Sequence, residues 1–159
     1  MLRTTHTGAT GFHAQAHVRR TPHLEGFIMT AKEFISSLFD QWQSGESAAF
    51  FDALADDVQW TVRGETPISG TWAGKAAYLD NVYRPLLSIF TGPTQCRVHN
   101  IIADGNLVVV EWHGETPTVS GTLYSQDYCW VLHVEGHTIR EVVGYFDTAL
   151  VTHLLTATK

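Results

Sequence analysis

Residues Asn106 to Asp147 read as three long strands laid side by side, which limits the chain to folds built on an antiparallel sheet. Leu107–Gly114, Thr122–Val134 and Thr138–Phe146 are each rich in Val, Tyr, Trp and Ile, residues that suit a pleated, half-buried surface. Successive side chains alternate between faces, so a hairpin pairs residues whose numbers sum to a constant. A turn centred near Thr118 sets Trp112 opposite Tyr124 and Val108 opposite Tyr128. A turn on Gly136 sets Trp130 opposite Val142 and Tyr128 opposite Gly144. Even-numbered residues then share one face: Val108, Val110, Trp112, Tyr124, Gln126, Tyr128, Trp130, Leu132, Val142, Gly144 and Phe146. It is aromatic and apolar, and is assigned to the inside. Val109, Glu111, His113, Asp127, Cys129, Val131, Glu141, Val143 and Tyr145 fall outside, and a slip of one residue would exchange the two sets.

Upstream, Thr30-Ala31-Lys32-Glu33 is a capping box, in which hydroxyl and carboxylate satisfy free backbone N–H groups at a helix start. Phe34, Leu38, Phe39 and Trp42 give that helix one apolar stripe, and Ser44-Gly45 ends it. A second helix is expected over Ser47–Ala55, a strand over Val58–Arg63 and a loop or short strands over Gly64–Gly74. A third helix follows from Lys75, carrying Leu79, Val82, Tyr83, Leu86 and Phe90, with Pro85 kinking or dividing it. Gln95–Ala103 is a further strand, turned by Asp104-Gly105-Asn106 into the sheet, and Asp147 can cap a closing helix over Thr148–Leu155. Helices followed by an antiparallel meander predict an α+β fold, a curved antiparallel sheet wrapped around N-terminal helices, cone-shaped with an apolar pocket between the layers.

Composition narrows the partners. With 159 residues, 44% of them hydrophobic, the chain suits one compact core. Residues 1–28 hold His6, His13, His17 and His23 without helical or strand period, and are expected to be a disordered extension before a single domain at 29–159. From Thr30 onward seven Lys/Arg stand against fifteen Asp/Glu, which argues against nucleic acid. No apolar run approaches the roughly 18 residues of a membrane span, so a soluble, membrane-free chain is expected. Cys96 and Cys129 show no metal spacing and are expected as free, buried thiols of a reducing, cytoplasmic setting. No metal site and no cofactor motif is read.

With that element order, the chain resembles the nuclear transport factor 2-like superfamily, in its SnoaL-like and ketosteroid isomerase-like branch. The resemblance rests on Leu54-Ala55-Asp56-Asp57-Val58-Gln59-Trp60, on Gly70-Thr71-Trp72-Ala73-Gly74-Lys75 and on Thr138 to Thr148. It implies a small-molecule-binding domain, possible acid/base isomerase or polyketide-cyclase chemistry on an apolar substrate, and a homodimer. The alternative is a non-catalytic ligand-binding or dimerisation module on the same scaffold. Ketosteroid isomerases place a Tyr oxyanion donor on helix one and an Asp base on strand one, where this chain has Leu38 or Phe39 and Thr61 or Val62. Limonene epoxide hydrolases use an Arg and two Asp at positions that look like Trp112, Gly114 and Gly144 here. SnoaL-type cyclases use a carboxylate on the long strand, where this chain reads Asp127-Tyr128-Cys129, and a bulge there would turn Asp127 inward.

Asp127 and Tyr128 are therefore the catalytic candidates. Trp60, Tyr83, Trp112, Gln126, Tyr128 and Trp130 are the candidate pocket, offering stacking surface with a few hydroxyl and indole donors. Outside, Val109, Cys129, Val131, Val143 and Tyr145 form an apolar patch that a second copy of the chain would cover.

Overall fold

The structure, a computed structural model, describes residues 29–156. The expectation for residues 1–28 lies outside these. The chain runs α1 (Ala31–Gln43), α2 (Ala48–Asp52), β1 (Leu54–Val62), β2 (Gly70–Ala73), α3 (Lys75–Tyr78), a π-helical turn (Leu79–Tyr83) and α4 (Arg84–Leu87). Then come β3 (Gln95–Asp104), β4 (Leu107–Pro117), β5 (Leu123–Glu135), β6 (Thr138–Phe146) and α5 (Thr148–Thr156). The six strands form one sheet ordered β2-β1-β6-β5-β4-β3, antiparallel throughout except where β1 lies parallel to β6.

Both ends of the helical layer follow local chemistry. The Thr30 hydroxyl accepts from Glu33 N at 3.2 Å while Glu33 Oε2 accepts from Thr30 N at 2.8 Å, so the capping box closes and starts α1. The buried stripe of α1, Phe34, Ile35, Leu38, Phe39 and Trp42, lies on the even face of the sheet. Asp147 Oδ1 accepts from Ala149 N at 2.9 Å and Leu150 N at 3.3 Å, capping α5.

The inside–outside assignment is correct, although both registers differ from expectation. Trp112 pairs with Tyr128, not Tyr124, and Trp130 pairs with Gly144, not Val142. The first turn closes two residues later because Thr118 bonds across it: its Oγ1 donates to the Thr122 carbonyl at 2.8 Å and its N–H to the same oxygen at 3.0 Å. Glu115–Pro117 is thereby released to lengthen β4. The second turn tightens to Gly136-His137, with Gly136 at φ 60, a conformation open to glycine. Along the lengths of both ladders the shift is an even step, so the residues assigned to each face keep it; only beyond the register shift at His133/Val134, where Val134 pairs with Ile139, does β6 slip by one and turn odd-numbered Ile139 into the core.

Other expectations needed correction. The second helix ends at Asp52, and Leu54 begins β1 opposite Ile139 instead of completing a helical stripe. The third helix is divided, as Pro85 suggested, but the division precedes the proline. Arg84 N–H bonds to the Leu79 carbonyl five residues back, which widens the helix where the proline ring would meet the carbonyl of Asn81. Register shifts in β3 between Val98 and Asn100, in β1 and in the β5–β6 ladder bend the sheet into an open cone. The shift in β3 was invisible to a simple alternation, and inverts it: Val98 faces in, and so does Ile101.

Candidate functional site

A cavity of about 350 Å³ opens between the even face of the sheet and the broken third helix, within the size range of small-molecule sites. Trp60, Trp112, Tyr128 and Trp130 form its sheet wall, and Tyr78, Val82, Tyr83 and Leu86 its helix wall. The segment Phe90–Thr94 lies at its margin. The π-helical turn has a direct consequence here, since it sets Val82 and Tyr83 toward the hollow.

The wall is a connected stack of rings. Tyr78 stacks on Trp60 at 3.8 Å between centroids, Trp60 meets Trp130 edge-on at 5.2 Å, and Trp130 meets Trp112 edge-on at 4.9 Å. Trp112 then lies flat on Tyr128 at 4.2 Å and 12°. Edge-to-face pairs favour the ring quadrupole and hold each indole in one orientation. Behind them Phe39 joins Trp42, Phe50, Trp112 and Trp130 into the core.

Of the expected pocket residues, Trp60, Tyr83, Trp112, Tyr128 and Trp130 are brought together on the lining. Gln126 is not. It is buried on the correct face, but its Nε2 donates to the Tyr124 hydroxyl at 2.9 Å and to the Asp147 carbonyl at 3.1 Å. Two acceptors facing one amide fix which end is nitrogen, since a flip would set oxygen against the Asp147 carbonyl. Gln126 therefore ties the sheet to the start of α5. Its Oε1 and the Trp112 Nε1 are both buried with no hydrogen-bond partner among the described residues.

Asp127 stands on the opposite side of the sheet. No bulge turns it: the β4–β5 ladder runs unbroken from Leu107↔His133 to Pro117↔Leu123. Its side chain is 79% exposed and His113 Nδ1 lies 2.7 Å from its Oδ1. The carboxylate expected to act as general acid/base does not reach the hollow.

Among the lining residues outside the expected set are two tyrosines, Tyr78 and Tyr124. Tyr124 had the right parity, whereas Tyr78 carries its signal in helical spacing, four residues before Val82 on the same buried side. Burial raises the hydroxyl pKa of Tyr78, Tyr83, Tyr124 and Tyr128, most strongly for Tyr78 and Tyr128. All four phenols remain neutral donors at ordinary pH. The Tyr124 hydroxyl accepts from Gln126 and shares a hydrogen bond with the Tyr128 hydroxyl, which uses one proton of that pair and leaves the other to donate. Ser47 and Thr94 add hydroxyls, and the lining holds no carboxylate, imidazole, amine or guanidinium among the described residues. Such a surface can stack on a flat molecule and hydrogen-bond an oxygen on it, but holds no general base.

A family model described as the SnoaL-like domain matches residues 35–142, more than half of the chain. No curated protein matches the sequence significantly. The fold is shared with a nuclear transport factor 2-like protein of Burkholderia thailandensis E264, at TM-score 0.65 and 19% identity, over 79% of this chain and 97% of that one. It is shared with a candidate SnoaL-like polyketide cyclase of Jannaschia sp. CCS1, at TM-score 0.61 and 15% identity, over 87% and 96%. The protein TerC, crystallised with polyporic acid, aligns at TM-score 0.63 and 19% identity, over 79% and 98%. Helices on one face of a curved, unclosed six-stranded sheet, the three structural likenesses and the family match together place this chain in the SnoaL-like domain family, with a nuclear transport factor 2-like, ketosteroid isomerase-like fold.

Proposed function

We propose that this chain is a receptor for a small, flat, largely apolar molecule bearing an oxygen acceptor, and that it binds without acid/base catalysis. The observation that carries this reading is the ring-walled 350 Å³ hollow whose hydrogen-bonding side chains are neutral. Apolar contact with the ring wall supplies affinity, and the remaining proton of the Tyr124–Tyr128 hydroxyl pair supplies a donor. TerC with polyporic acid supports this ligand class by analogy of fold. An isomerase or cyclase reading would have to rest on Tyr124 and Tyr128 polarising a carbonyl, with the substrate supplying its own proton acceptor. The charge-free lining favours binding.

The test is quenching of tryptophan fluorescence by 1-naphthol and by 1-naphthalenesulfonate, two molecules of the same flat shape. Saturable binding of the neutral phenol, with the sulfonate at least tenfold weaker, is expected because the lining offers no cation to pair with it. Equal binding of the two, or no saturation with either, overturns the proposal.

We further propose that a second copy covers the outer face. Ile102, Val109, Val131 and Val143 lie in one straight row across four strands, and Ile102 is 66% and Tyr145 46% exposed. Beside this row lies Cys129, in register with Tyr145. A monomer by light scattering at micromolar concentration removes this idea. No helix is long and apolar enough to cross a membrane among the described residues. The free thiols Cys96 and Cys129 support a reducing, cytoplasmic setting.

A further inference from the structure

The outer face is not uniform. One end carries the apolar row, and the other carries Arg97, His113, Asp127, Glu115 and Ser125, set by the pairs Arg97↔His113, His113↔Asp127 and Glu115↔Ser125. The bulge between Val98 and Asn100 inserts His99 as an extra residue beside this polar end. One donor atom each from His99, His113 and Asp127 lie within 4.8 Å of one another. His113 Nδ1 is 2.7 Å and His99 Nε2 4.0 Å from Asp127 Oδ1.

We propose that His99, His113 and Asp127, contributed by three adjacent strands, form a shallow binding site for a divalent late first-row transition metal ion of the Zn²⁺ type. Metal–nitrogen and metal–oxygen bonds of about 2.0–2.2 Å set donors around a tetrahedral ion roughly 3.4 Å apart. The observed 2.7 and 4.0 Å bracket that spacing, so small side-chain rotations complete the triangle. The far nitrogen of His113 is already held: Nε2 lies 3.0 Å from Ser125 Oγ and 3.5 Å from Glu115 Oε1. That is the arrangement of a ligating histidine, whose other ring N–H is engaged by a hydroxyl or carboxylate while the remaining lone pair faces the ion. Two imidazoles and one carboxylate select borderline ions over Mg²⁺ or Ca²⁺. A plain His–Asp hydrogen bond accounts for one side of the triangle; the bulge that brings a second imidazole to the same carboxylate is left over by it. Arg97 is the nearby opposing charge, and Glu111 and Glu115 offset it on the same face. The row Glu111↔Cys129 separates this cluster from the apolar row, so a second copy seated there leaves the cluster at its edge.

Calorimetric titration of Zn²⁺ tests the proposal on the full chain. His6, His13, His17 and His23 are replaced by Asn as background, because those four histidines offer competing ligands. One equivalent of Zn²⁺ in the micromolar range is expected, with Co²⁺ giving a visible absorption band as the independent readout. His99→Ala and Asp127→Asn change exposed side chains and leave the fold intact; each is expected to weaken binding at least tenfold. Absence of binding in the background chain, or binding unchanged by either substitution, overturns the proposal.

Discussion

Two glycines on the inner face allow a controlled test of how tightly the ring wall is packed. Gly114 in β4 and Gly144 in β6 are both buried in extended backbone, and neither has a positive φ. A Cβ at Gly114 would meet Trp112 Cζ3 at 2.9 Å, Thr94 Cγ2 at 3.2 Å and Tyr128 Cε2 at 3.2 Å. At Gly144 the nearest atom is Trp130 Nε1 at 3.4 Å, an ordinary contact. Replacing a strand glycine by alanine gains about 0.5–1 kcal/mol of backbone entropy at either position. Only Gly114→Ala must also separate the stacked Trp112 and Tyr128, an overpacking that costs about 1–3 kcal/mol. The difference between the two variants cancels the entropy and isolates the packing. With a urea m-value of about 2 kcal/mol/M, the midpoint of Gly114→Ala should fall below that of Gly144→Ala by roughly 0.5–1.5 M. Tryptophan fluorescence follows the transition. Midpoints within about 0.2 M of each other would refute the view of a rigid ring wall, since a gap that small corresponds to less than about 0.5 kcal/mol.

Phe39→Ala, at a fully buried ring in contact with four others, should cost about 3–5 kcal/mol in the same assay, against under about 0.5 kcal/mol for exposed Leu87→Ala. Tyr124→Phe should weaken 1-naphthol binding about three- to tenfold by removing one hydroxyl of the Tyr124–Tyr128 pair, while Asp127→Asn leaves it unchanged; the reverse pattern would put Asp127 back at the pocket. Burial pushes the Cys96 thiol up to about 12, so Cys96 should resist alkylation by iodoacetamide at pH 8 until the chain is unfolded in urea. The unfolded thiol ionises near 9.0 while the folded one keeps its proton, and buried Tyr128 acts in the same direction. Stability from these groups is fully present below pH 9 and declines as pH rises toward 12; a urea midpoint that is flat or rising over that window contradicts this.

What the amino-acid sequence alone determined was the sheet and its sidedness. Alternation along β4, β5 and most of β6 is a local property with period two, and it survived a first turn that closed two residues away from its expected centre and a second that closed nearer its own. The capping box of α1 and the Asp147 cap were equally legible, because each involves groups within a few residues of one another. Trp112, Tyr128 and Trp130 could be gathered on one wall by parity alone, whereas Trp60 joins them through the pairing of β1 with β6.

The tertiary structure decided what those side chains face once on a wall. Gln126 and Tyr128 share a parity, yet the Asp147 carbonyl, 21 residues further along the chain, claims Gln126 for structure while Tyr128 lines the hollow. Asp127 was taken inward only on the supposition of a bulge, and the irregularity lies instead in β3, where it carries His99 toward the Asp127 carboxylate. No spacing within the sequence announces that approach: His99, His113 and Asp127 belong to three strands, and their distances depend on two registers and one inserted residue. Contacts across strands depend on where turns close and where ladders slip, and those are set by packing of the whole sheet on its helices.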